Sequence, residues 1–272
     1  LRKGRYRCDG HLLIDRPGVV VRGVGRQTEL VFTASKGMSD SAHITFQGKL
    51  RRGADLLLAR DADNRAIRVS VETLAGLKVG DQVAIGWRIT DSFVAEHKMT
   101  GTWKAFNGKW RPFFRRRVVA IDRGKGPAQV VFDIPLRYRA MRRDQASLRV
   151  ERGYLENCAI EALSICNGAA TRGDAWKETR VQAITFDQVA DCWIRDVHSM
   201  ASPHSDPSVF HLQSGGILVS DSKHVTIADC RMEKSQHRGG GGNGYLFQIS
   251  RSNTILTRDC TAIAGRHNFI QN

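Results

Sequence analysis

The sequence predicts an all-β solenoid, a parallel β-helix of short stacked strands interrupted by a small inserted β-domain. Three observations carry that prediction. The phrase SKHVTIADC, Ser222 to Cys230, returns 30 residues later as SNTILTRDC, Ser252 to Cys260. Residues 1–50 are filled with strand-type runs punctuated by Gly and Pro, without helical periodicity. That texture is lost between residues 51 and 150 and returns afterwards. Repeats of this length, made of β-type runs, mark a solenoid in which each coil buries its apolar face on the next.

The expected organisation is therefore N-terminal coils over 1–50, a β-rich insert over 51–150, and further coils over 151–272. The last residues, GRHNFIQN, stop in the middle of a repeat, so the chain reads as a fragment truncated at its C-terminal end. No run approaches the 18 apolar residues of a membrane span. Six cysteines without CxxC spacing argue against zinc.

In the first coils, His11–Ile14, Val19–Val21 and Glu29–Phe32 are strand candidates, separated by Arg16-Pro17-Gly18 and Arg22-Gly23-Val24-Gly25. The run GRYRCDGHLLIDRPGVVVRGVG resembles the opening coils of right-handed parallel β-helix proteins of the pectate-lyase-like superfamily. The resemblance implies that architecture and its right hand; it implies no particular reaction.

In the insert, Gly80-Asp81 sits between apolar runs and predicts a hairpin or the start of a barrel strand. Val118–Asp122 and Val130–Pro135 are further strands. Inside the insert, just before the first of these, lies TGTWKAFNGKWRPFFRRR, in which Trp103, Phe106, Trp110, Phe113 and Phe114 interleave with Lys and Arg. Exposed, such a run is a cationic stacking platform for sugars or bases, with Trp103 and Trp110 as substrate-binding candidates. Buried, its aromatics are the insert's own core and its Arg run a solvated face.

In the last coils, Trp193–Val197 aligns with Thr226–Cys230, and Ile160–Leu163 precedes both. Leu163, Val197, Cys230 and Cys260 then share one inward ladder, with the thiols as small buried hydrophobes rather than a disulfide. Asp196, Asp229 and Asp259 form a second column, read as turn residues rather than metal ligands. Seven residues past three of the ladder positions stand His204, His237 and His267, which the alignment places in one column. Around them lie Lys234, Arg238, Arg266, Asn268, Asp206, Asp221 and Glu233, and the loop Gly239–Gly244 leaves room for a ligand near backbone.

The chain carries 42 Lys and Arg against 27 Asp and Glu, a net charge of +15, which favours a polyanionic partner. A groove along stacked coils suits a linear polymer. The expected function is therefore a carbohydrate-active protein, foremost a polysaccharide lyase cleaving an acidic, uronate-containing polysaccharide by β-elimination. Arg266 and Arg238 would neutralise the carboxylate, His267 or His237 would remove the proton, and Lys234 is the rival base. His204, Arg238, Asn268 and Asp206 are the substrate-binding candidates. Lys234-Ser235 and Arg266-His267 are also similar to elements of chondroitinase B and alginate lyase type enzymes. That resemblance implies Lys234 as base, Arg266 as acid and calcium nearby, although Asn268 stands where the family carries Gly. A glycoside hydrolase, which needs paired carboxylates, and a non-catalytic tailspike-like glycan binder are the alternatives. Nucleic acid is disfavoured as a partner, no oligomeric state is implied, and a secreted or periplasmic location is expected.

Overall fold

The structure, a computed structural model, describes residues 1–103 and 108–271. The chain divides into two compact units, Leu1–Lys49 with Tyr154–Asn272, and Leu50–Gly153. The first unit is a parallel β-helix. Its first sheet stacks Gly4–Cys8, Thr28–Phe32, Ala159–Cys166, Val189–Ser199, Lys223–Ala228 and Asn253–Arg258, with Val20–Arg22 also pairing onto Ala159–Cys166. The second stacks Leu12–Ile14, Ala42–Gln47, Gln182–Asp187, Gly215–Ser220, Tyr245–Ser250 and His267–Gln271.

The register is the one the repeats imply. Trp193 faces Thr226 and Lys223 faces Asn253, so the two copies of the repeated phrase lie directly on one another. Leu163 faces Val197, and the pairs His198–Arg231 and Arg231–Thr261 carry that ladder on to Cys230 and Cys260. All six cysteines are free; Cys230 is buried and Cys260 half-buried.

Period-two alternation sends one side-chain set inward along each strand. In the second sheet Ile44, Ile184, Ile217 and Phe247 stack inside, and Phe46 lies 4.3 Å from Phe186 between ring centroids. Each such side chain, fully buried, stabilises the fold by about 1.5–3 kcal/mol. The coils turn where a residue adopts positive φ. Ala162, Asp196, Asp229 and Asp259, at 55°, 52°, 55° and 53°, form one corner column. Asn157, Asp191, His224 and Thr254 form a second, at 57°, 54°, 50° and 57°, and Gln188, Asp221 and Arg251 a third, at 58°, 47° and 46°. Asp and Asn tolerate this left-handed region better than most side chains, which is why the repeated phrase carries Asp there. Among the described residues no group of three or more His, Cys, Asp or Glu side chains is gathered to hold a metal ion.

The second unit is an antiparallel sheet. Gln82–Arg88 is central to it, paired with Trp110–Asp122 on one side and Ser147–Arg152 on the other. Trp110–Asp122 also pairs with Ala128–Phe132, the hairpin of this unit, whereas Gly80-Asp81 only leads into a single strand. The aromatic run is mostly core. Phe114 is buried, and Phe113 stacks on the buried Trp87 at 3.9 Å. Trp110 is half-buried: its Nε1 donates to Ser147 Oγ at 2.8 Å and Arg149 covers its ring at 4.0 Å. A stacking platform needs an open ring face, so the expectation for Trp110 is corrected. Trp103 is exposed; Phe106 and Lys104 lie outside the described residues. Arg115 and Arg116 are buried rather than solvated, and Arg116 donates to the carbonyls of Ile134 and Pro135.

Candidate functional site

The three histidines do not form a column. Counting seven residues past the ladder presumes equal turns, but the connections differ: residues 200–214, 234–244 and 264–266. His204 stays exposed in the first connection. His237, in the second, stacks in backbone register with Gln213, donating its amide to that carbonyl at 2.9 Å. Its ring is buried, lies 4.6 Å from the Trp176 ring, and has Nδ1 2.8 Å from the Glu178 carbonyl. His267 begins the last strand of the second sheet and faces Tyr245, with the rings 4.9 Å apart.

Some predicted residues do converge. Arg266 donates from Nη1 to the Gly239 carbonyl at 2.7 Å, and both Arg266 and His267 donate backbone amides to Gly244 O. A Cβ on Gly244 would lie 3.1 Å from Arg238 Cα and from Arg266 Cβ, so these two arginines flank that glycine. Asn268 Oδ1 accepts from Gly265 N, closing the turn before the strand. Lys234 is a corner residue at φ 52°, exposed, and Asp206 is exposed in the 200–214 connection. The Gly239–Gly244 loop is anchored at Asn243, while a Cβ on Gly240 or Gly241 would meet nothing within 4 Å, so room near that backbone remains. Buried Asn243 donates to Gly240 O at 2.7 Å and accepts from Arg180 N at 2.6 Å and from Ser214 Oγ at 3.0 Å.

A concavity of the β-helix lies on the outer face of the second sheet. It is a groove of about 840 Å³, and none of the predicted catalytic residues lines it. Two outward rows form its floor: Thr45, Thr185, Leu218 and Gln248, then Gln47, Asp187, Ser220 and Ser250. The corner residues Gln188, Asp221 and Arg251 edge one side. At the other, His11, Asp40 and Arg180 stand beside Gln182, with Arg180 ion-paired to Asp40.

Two carboxylates in this groove have contrasting surroundings. Asp187 accepts from Gln47 Nε2 at 2.8 Å, and its pKa is raised, first by burial and then, against that hydrogen bond, by the nearby Asp221 charge. Asp221 accepts from Arg251 Nε and Nη2 at 3.0 and 2.8 Å and is held as an ion pair. One carboxyl has its pKa raised by burial, while its neighbour is paired with a guanidinium. That is the division of labour acid–base chemistry requires.

Of this set the sequence reading singled out only Asp221. Asp187 was findable: had the repeat been extended upstream, FDQ would have aligned with VSD and ISR, placing Asp187 beside Ser220 and Ser250.

No protein-family model matches the chain, and no curated protein matches it. Solved structures do. The Pseudomonas phage phi297 tailspike gp61 matches with a TM-score of 0.59 and 10% identity over 96% of this chain and 41% of that one. The gp54 tailspike of Acinetobacter baumannii bacteriophage AP22, in complex with A. baumannii capsular saccharide, gives 0.33 and 9% over 96% and 52%. The gp49 tailspike from Pseudomonas phage LKA1 gives 0.38 and 12% over 95% and 41%. The chain thus spans between two fifths and about half of these proteins. At such identity the likeness to gp61 concerns the fold alone, a parallel β-helix. No helix among the described residues is long and apolar enough to cross a membrane.

Proposed function

We propose that this β-helix binds a polysaccharide along the groove of its second sheet and cleaves it by hydrolysis, as a tailspike-like glycan-processing protein. The observation that carries the reading is the Asp187–Asp221 pair set in the groove floor and its edge. Asp187, its pKa raised by burial, is the proton donor to the glycosidic oxygen. Asp221, ion-paired to Arg251, is the carboxylate partner that activates water or attacks the sugar. Stacked rungs repeat every ~4.8 Å, so successive sugars meet equivalent side chains. A protein acting on such a polymer works where the polymer is, so a secreted or periplasmic location belongs to this proposal.

Elimination is the second reading, and one observation favours it: Arg238 and Arg266 gather around Gly244, with His267 next to Arg266. There Arg266 or Arg238 would neutralise a carboxylate, and His267 or Lys234 would take the proton. His237 suits it less, because its ring is buried and engaged with Glu178 and Trp176.

The test is cleavage of a capsular polysaccharide panel, followed by reducing ends and by the ultraviolet absorbance of unsaturated uronate. Reducing ends without that absorbance, lost in Asp187→Asn, are expected. Unsaturated product, lost in Arg266→Ala but kept in Asp187→Asn, would replace hydrolysis by elimination.

A further inference from the structure

We infer that the groove of the second sheet is built for a neutral, hydroxyl-rich glycan and rejects a polyuronate. The inference rests on the groove being the glycan site and names its substrate class.

The acidic-polymer expectation came from the charge of the whole chain, and that charge is unevenly divided. The unit Leu50–Gly153 holds 22 Lys and Arg against 11 Asp and Glu, a net +11. The β-helix unit holds 20 against 16, a net +4. Within the groove that excess is gone: Asp40, Asp187 and Asp221 line it against Arg180 and Arg251.

Both arginines are already engaged by carboxylates, Arg180 by Asp40 and Arg251 by Asp221. A uronate entering must compete for one of them and leave an aspartate facing the incoming negative charge. Juxtaposed like charges are a strong selection against a wrong partner.

The remaining lining is neutral and hydrogen-bonding: Thr45, Gln47, Thr185, Ser220, Gln248 and Ser250. Gln182 gives the most specific cue. It is 3% exposed, lines the groove, and its Oε1 has no hydrogen-bond partner among the described residues. A Cβ at Gly215 would come within 1.8 Å of that oxygen, so the Gln182 amide packs directly over this glycine of the adjoining rung. A buried acceptor without a donor is costly, and a sugar hydroxyl, carried by neutral and uronate units alike, supplies the donor, so Gln182 marks contact with a glycan and the paired charges set which glycan. The lining residues come from five adjacent strands, a run of about 19 Å between the first and last rungs.

The basic unit Leu50–Gly153 will attract any polyanion through screened surface charge, so the test must separate groove binding from that background. An array of neutral and uronate-containing oligosaccharides is probed at physiological salt with the full chain, its Gln182→Ala variant and Asp40→Asn. Signals that fall at least tenfold in Gln182→Ala report the groove. Their confinement to glycans without carboxylates is the expected result. Asp40→Asn, which releases Arg180, is expected to add uronate signal. Gln182-dependent binding of uronates by the unaltered chain would overturn the inference while leaving the groove as the glycan site. Absence of any Gln182-dependent signal would remove the groove reading itself, and this inference with it.

Discussion

Asp187 faces Ser220 across two parallel strands, and this register puts it one position short of Asp221 on the next coil. The two carboxyl groups are brought together by the stacking of coils, since 33 residues of chain separate their sequence neighbours in that rung. Their surroundings then divide them: amide donors and burial around Asp187, a guanidinium against Asp221.

Replacing Asp187 by Asn removes the proposed proton donor while keeping size and the contact with Gln47. Turnover of a cleaved polysaccharide is expected to fall by about 10²–10⁴-fold. Binding on an affinity gel should persist. A variant that keeps near-normal turnover would exclude Asp187 from the chemistry.

The same carboxyl sets a pH dependence of stability. Its folded-state pKa lies above the unfolded one, so the native state holds the extra proton between the two values. Unfolding free energy therefore decreases as pH rises through that window and stays lower above it. Asp187→Asn should abolish this loss, giving a variant at least as stable as the parent at neutral pH. Denaturant titrations from pH 4 to 8, roughly bracketing the ordinary carboxyl range and the raised one, measure it. A steeper loss of stability with pH in the variant would contradict the assignment.

Much of the β-helix was legible because its determinants are local and recur. Alternation in Val225–Ile227 and Ile255–Thr257 fixes which face points inward, and Asp229 and Asp259 mark where a coil turns. The ladder from Leu163 to Cys260 follows from these alone. The candidate site was less legible because it depends on connections between strands, whose lengths no periodicity controls. His237 and His267 are related by spacing in the sequence, yet one is tucked beneath Trp176 and the other opens a strand. In the insert, charge misled. Arg115 and Arg116 read as solvated, yet a carboxylate from Glu151 and the carbonyls near Pro135 satisfy them inside.

The corner at Asp229 offers a test of the coil geometry. Its φ of 55° is uncomfortable for most side chains and worst for a β-branched one. Asp229→Val is expected to cost about 1–2 kcal/mol, whereas Asp229→Gly should be close to neutral. Equal effects of the two substitutions would mean the side chain, rather than the backbone conformation, matters at this corner.

Gly48 tests the third corner column from the opposite direction. It precedes Gln188 in the stack, and a Cβ built on it would meet the Gln188 carbonyl oxygen at 2.1 Å. The obstacle is backbone, which cannot rotate aside as a side-chain end can. Gly48→Ala must therefore push the coil bearing Gln188 away, loosening the contact between Gln47 on its own rung and Asp187 on the next. A loss of about 1–3 kcal/mol is expected, as for other overpacked sites. Because the displaced rung is part of the groove floor, glycan retention should weaken too. Gly10→Ala, where a Cβ meets nothing within 4 Å, is the matched control and should leave both properties unchanged. Stability lost without weaker retention would show that the groove does not depend on the spacing of this rung.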